Sequence, residues 1–128
     1  MNIKIHSVVG KGDLDKELTW LQVLADVSDL SFYMVCDTTY KDNNSISNEL
    51  RHIYWLPKQS VKQGDWIAVH TKDGKNTTVK NEQGTTTHHF YWNLGRTIWN
   101  KDGDCAVLFN LNSWTTHPAR SVAQRSAA

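Results

Sequence analysis

The 128-residue chain lacks most of the features by which function classes show themselves in a sequence. It has no charge excess: 14 Lys and Arg stand against 13 Asp and Glu. Bulk charge therefore does not drive it onto nucleic acid or anionic lipid, and only a local basic patch would do so. It has no apolar run near the ~18 residues of a membrane span. The start of the chain, MNIKIHSVVGKGD, breaks a short apolar stretch with Lys4 and His6 and has no apolar core leading to a small-residue cleavage site. A soluble, cytoplasmic protein without a membrane partner is expected. There are two cysteines, Cys36 and Cys105, in the apolar runs FYMVCD and DCAVLF. In a reducing compartment such thiols pack as small hydrophobes, and both are expected to be free.

Motifs for catalysis are also lacking. There is no G-x-S-x-G nucleophile elbow and no Gly-rich phosphate loop opening a helix. Neither cysteine sits in an activating context. The stretch RTIWNKDGDCAVLFN, residues 96–110, has the acidic, glycine-containing break of a calcium loop. Such a loop needs oxygen ligands at its first and twelfth positions around a sixth-position glycine. Counting from Gly103 puts Ile98 and Phe109 there, and neither can ligate. The six histidines are scattered, and the adjacent His88 and His89 would point to opposite faces of a strand. Convergence of His52, His70 and His89 is the metal arrangement left open by spacing. No catalytic residue, metal or cofactor is expected.

What the sequence has is a rhythm of short β-branched and aromatic runs parted by GKGD, KDNNS, VKQGD, KDGKN and NKDGD. That spacing of turn signals marks an all-β sandwich or barrel. Strands are expected at 2–9, 18–25, 30–37, 52–56, 65–71, 88–93, 97–99, 104–110 and 113–117. The segments 41–48 and 72–87 are polar and read as loops. One segment, DLDKELTWLQVLAD, also carries helical spacing at Leu14, Leu18, Leu21 and Ala25 behind Asp13, and periodicity alone does not decide it. One domain over residues 1–118 and a disordered tail over 119–128 are expected. Six tryptophans offer either core filling or an exposed stacking platform, and core filling is expected for most of them.

Two stretches carry a family resemblance, with a third in support. IYWLPKQSVKQGDWIAVHTKDG, residues 53–74, has an aromatic-Pro stretch leading to a G-D-x-apolar strand. TIWNKDGDCAVLF, residues 97–109, has the W-N-x-x-G-D closing pattern. TWLQVLA supplies an early strand with Trp20, although Thr19 and Gln22 stand where acidic residues are usual. Together they resemble the lamin tail domain family. The resemblance implies an immunoglobulin-like β-sandwich of two mostly antiparallel sheets, and it favours a strand over a helix at residues 18–25. It gives structural roles to Trp20, Trp66, Trp99, Asn100, Gly103 and Asp104, with 97–109 as a closing hairpin in which Gly103 takes a strained turn conformation. In antibody-type domains a tyrosine precedes the second cysteine by two residues. Here that position is Gly103, so the spacing of Cys36 and Cys105 does not imply a disulfide.

The function implied is a non-catalytic interaction module that binds a protein partner through loops or an exposed sheet edge, with homodimerisation through sheet edges as a related expectation. A DNA-binding version would need Lys72, Lys75, Lys80 and Arg96 to gather on one face. A carbohydrate-binding version would need two exposed coplanar tryptophans, and a metal-dependent hydrolase would need converging His and Asp.

Overall fold

The computed structural model describes residues 1–41, 45–100 and 102–120, and among them there is no α-helix. The strands are β1 (Ile3–Val9), β2 (Leu18–Val23), β3 (Tyr33–Lys41), β4 (Ser45–Ile46), β5 (His52–Trp55), β6 (Trp66–His70), β7 (Thr77–Lys80), β8 (Thr86–Tyr91) and β9 (Asp104–Asn110). One sheet has the order β1-β2-β6-β8-β7, and the other is centred on β3, which pairs with β4, β5 and β9. Every pairing is antiparallel except β6 with β8. The all-β sandwich of two mostly antiparallel sheets expected from the sequence is the fold observed.

The core lies between the sheets, as alternation dictates. From the larger sheet Ile3, Leu21, Val23, Ile67, Val69 and Phe90 point inward, and Tyr33 and Val35 meet them from the smaller one. The ring of Tyr54 on β5 stacks on Phe90 at 6.4 Å. In β2 the buried residues are Thr19, Leu21 and Val23, while Leu18, Trp20 and Gln22 are half-buried. This period of two resolves the ambiguous segment as a strand. Its helical signal is confined to one turn, in which the Asp13 carbonyl accepts from the Lys16 and Glu17 amides.

Several boundaries depart from expectation. The run from Leu30 opens with a 3-10 turn, Leu30–Phe32, because the Asp29 carboxylate accepts from the Ser31 amide at 2.8 Å, and β3 then continues to Lys41. β4 and β7 lie in segments read as loops. All four residues of β7 are exposed at the open edge of its sheet, so this strand has no buried face to mark it in the sequence. Ser113–His117 forms no strand. Of the expected tail, 119–120 are irregular and 121–128 fall outside the described residues, as do part of the 41–48 loop and residue 101.

The largest departure is at 97–109. Residues 97–99 form no strand, and β9 pairs along its whole length with β3. The cause is Glu17, which is fully buried: its carboxylate accepts from the Ile98 amide at 2.9 Å and the Trp99 amide at 3.2 Å. Those amides are therefore taken by a side chain and are not offered to a ladder. The expected closing hairpin is a crossover from the interior into the smaller sheet. Gly103 is not among the glycines with positive φ, and its carbonyl instead accepts from the Tyr40 amide at 2.7 Å.

Candidate functional site

Side-chain alternation leaves each sheet with an outer face, and both outer faces carry aromatic groups. On the larger sheet the register pairs Gln22 with Trp66, Trp20 with Ala68 and Trp66 with Thr87, which places Trp20, Trp66 and Thr87 on the face away from the core. An irregularity in β1 between Ile5 and Ser7 brings His6 to the same place. The His6 and Trp66 rings lie 5.1 Å apart at 83°, and those of Trp20 and Trp66 6.0 Å apart at 86°. These rings bound a recess of about 660 Å³ whose far wall is the β7–β8 turn, Lys80 to Gln83. The turn is locked by Asn81, whose carboxamide oxygen accepts from the Gln83 and Thr85 amides and whose nitrogen donates to Thr87 Oγ1.

Further along the same face, His70, His89 and Tyr91 cluster. The His70 ring stacks on Tyr91 at 4.6 Å, and its Nε2 lies 2.9 Å from His89 Nδ1. Burial, followed by the neighbouring His89 and Lys72 charges, pushes the His70 imidazole down to about 4. Burial also lowers His89, with a smaller contribution from the His88 charge.

The outer face of the smaller sheet has a different character. The β3 register with β5 and β9 puts Met34 beside Trp55 and Phe109, and Cys36 beside Ile53 and Val107. Thr38 pairs with Cys105, and Tyr40 with Ile46. None of these ten side chains carries a formal charge. At one end Trp114 packs edge-on against Trp55 at 5.0 Å and Phe32 at 5.1 Å. Of the ten exposed large hydrophobics described, six lie on this face or its end: Phe32, Tyr40, Ile46, Ile53, Trp55 and Trp114. Cys36 is fully buried beneath its neighbours, and that burial, with the adjacent Asp37 carboxylate, raises its thiol to about 11. It is a packing thiol, not a nucleophile. Both cysteines are free, as expected.

Besides Glu17, two buried carboxylates, Asp37 and Asp65, organise the polar groups. Asp37 accepts from the His52 amide at 2.6 Å and pairs with His52 Nδ1 at 3.0 Å, while Arg51 bridges Asp37 and Asp104. This network lines a polar cleft with Arg96, Thr97, Asn100 and Gly103. Asp65 pairs with His88 Nε2 at 2.9 Å, and Gln59 holds the other His88 nitrogen at 2.7 Å. Burial acts to raise the Asp65 carboxyl, but the hydrogen bonds from His88 and the Lys62 and Thr86 amides outweigh it and hold Asp65 below the usual carboxylate range.

His88 and His89 point to opposite faces, as their adjacency requires. His70 and His89 meet, but His52 belongs to the other sheet's Asp37 network. Among the described residues no group of three or more His, Cys, Asp or Glu could hold a metal ion. No helix among them is long and apolar enough to cross a membrane.

The sequence-derived site residues are dispersed. Lys80 pairs with Thr86 at the Trp66 end of the larger sheet, whereas Lys72 follows His70 at the opposite end. Lys75 is exposed in the β6–β7 connection, and Arg96 lines the polar cleft. Trp99 is buried, as an architectural residue should be, and packs against Trp92 at 6.4 Å. Trp20 and Trp66 are not core residues: they are half-buried walls of the recess. They stand at right angles, as do Trp55 and Trp114, so neither pair forms the coplanar platform of a glycan site. Asn100 Nδ2 reaches Thr97 Oγ1 at 3.4 Å rather than the turn backbone, and Asp104 receives Arg51. Sequence reasoning missed Glu17, Arg51, Asp37 and the apolar outer face. The signal for that face was RHIYWLP, in which both alternating sets, His52 with Tyr54 and Ile53 with Trp55, contain aromatic or apolar groups. Compared with known proteins, the chain matches no family model, no curated protein and no solved structure.

Proposed function

We propose that the chain is a non-catalytic interaction module of lamin-tail type that holds a protein partner against the outer face of its smaller sheet. The observation that carries this reading is the concentration of six exposed large hydrophobics on one uncharged face and its end. Exposed apolar groups gathered on one side of a protein mark an interaction surface more often than singly scattered ones do. A face without charge offers nothing to anchor an ionic ligand, and it suits a partner surface that is itself apolar at its centre. The family part of the reading rests on the sequence resemblance at 53–74 and 97–109.

Ile53 is half-exposed on the edge strand β5, beside Cys36 of β3, and makes no hydrogen bond through its side chain, so Ile53→Lys tests the reading with little cost to folding. A photo-crosslinking residue at position 53 in cells that naturally make the protein is expected to capture one discrete partner, whereas the same residue at Lys75, exposed in the β6–β7 connection, captures none. Introducing Lys further along the face, Ile46→Lys, is expected to weaken the crosslink while the circular dichroism is unchanged. A crosslink confined to Lys75 would overturn the reading. Sedimentation of the purified protein identifies the occupant: a dimer dissolved by Ile53→Lys would make it a second copy and contradict the partner assignment.

A further inference from the structure

The aromatic recess on the opposite sheet is a second site, independent of the apolar face. Its walls are the rings of His6, Trp20 and Trp66, with Trp66 perpendicular to each of the other two. Rings set at right angles cannot all lie under one flat ligand, but they present π-faces from several directions to a compact, rounded group. The centre of each indole face is electron-rich, so the group best matched to such an enclosure is a cation too bulky and too weakly hydrated to prefer water. The rim supplies the charge. Glu82 sits in the β7–β8 turn, which Asn81 holds through its bonds to Gln83, Thr85 and Thr87, and no hydrogen bond or ion pair among the described residues engages its carboxylate. Lys80 also borders the recess, on the strand end that leads into the turn. The recess, open to solvent, therefore combines aromatic walls with one carboxylate, Glu82, and one ammonium, Lys80, at its rim.

We propose that this recess binds an alkylated ammonium group, the chemistry shared by a methylated lysine side chain and by choline. Trp66 forms the central wall, Trp20 and His6 close the two sides, and Glu82 balances the charge across the opening. The volume of about 660 Å³ leaves room for the group and part of its stem.

Titration of the whole chain, followed by the indole N–H resonances of Trp20 and Trp66, tests the assignment. Choline is expected to shift both resonances saturably, and its neutral isostere 3,3-dimethylbutanol is expected to bind at least about tenfold more weakly. Equal binding of the two would make the recess a plain apolar hollow and overturn the proposal, as would no saturable shift with either. Two further arms separate the sources: Nα-acetyl-trimethyllysine amide binding more tightly than phosphocholine assigns a modified protein, and the reverse order assigns a choline headgroup. Trp66→Ala should abolish the shift at Trp20. Because that change removes packing, Glu82→Gln, in an exposed turn, serves as the second variant and should weaken choline binding severalfold, with Lys80→Ala equal to or tighter than the parent. Unchanged affinity in Glu82→Gln would contradict the role of the carboxylate and with it the proposal.

Discussion

At the scale of single residues, a few buried polar side chains decide what the backbone does. Glu17 is the clearest case. Its carboxylate takes the amides of Ile98 and Trp99 and also receives the Gly12 amide at 3.2 Å. One acidic side chain thus ties the β1–β2 connection to a segment eighty residues later in the chain. Nothing in KEL announces this, since an acidic residue between a lysine and a strand reads as solvated surface. The partners lie far away in sequence, and a long-range hydrogen bond leaves no periodic trace. Replacing Glu17 by Ala leaves two buried amides without acceptors, and each such group costs about 1–3 kcal/mol. A loss of roughly 2–5 kcal/mol in urea denaturation is expected. Glu17→Gln should recover only part of it, because a neutral amide is the weaker acceptor and brings its own donors. A loss below about 0.5 kcal/mol in Glu17→Ala would show that 97–99 is held by packing alone.

At the scale of elements, the spacing of turns carried most of the information. β1, β2, β5, β6, β8 and β9 were readable as β-branched and aromatic runs between turn signals, and in β2 the period of two is explicit, with Thr19, Leu21 and Val23 buried between half-buried neighbours. β7 was hidden because an edge strand exposed along its whole length has no reason to alternate. The expected strand at 97–99 failed for the converse reason: its apolar residues are buried, but as a crossover. The tryptophans show the same limit, since an aromatic residue on a strand satisfies either face and only register says which. Register also explains the acid behaviour of the β6–β8 pair. It sets His70 beside Tyr91 and within reach of His89, in a buried position where the imidazole stays neutral down to about pH 4. The unfolded chain takes up that proton near 6.5, so between these two values the unfolded state binds more protons. Stability from this group is complete above pH 6.5 and is lost as pH falls toward 4, by about 3 kcal/mol in all. His70→Asn should reduce the slope of unfolding free energy across that window, the remainder coming from His89, whose imidazole burial also lowers. Asp65, held below the usual carboxylate range, is lost only at still lower pH, so its contribution does not blur the result.

At the scale of the whole molecule, the sandwich has two outward surfaces of unlike chemistry. The larger sheet carries a recess with ring walls and a carboxylate rim, and the smaller sheet carries an uncharged apolar face ending in the Phe32, Trp55 and Trp114 cluster. The fold class was legible in the spacing of turns, and the dispersal of Lys72, Lys75, Lys80 and Arg96 was not, because strand order cannot be read from a single chain. The proposed function rests on the smaller sheet's face being covered when the protein is at work. Hydroxyl-radical footprinting, on the purified chain and inside the cells that make it, measures this side chain by side chain. Trp55, Trp114 and Tyr40 should oxidise readily in the purified protein and be strongly protected in the cell, while the exposed β7 edge reacts alike in both. Equal oxidation of those three rings in both settings would mean that nothing sits on the face, and the account of an interaction module built around it would fall.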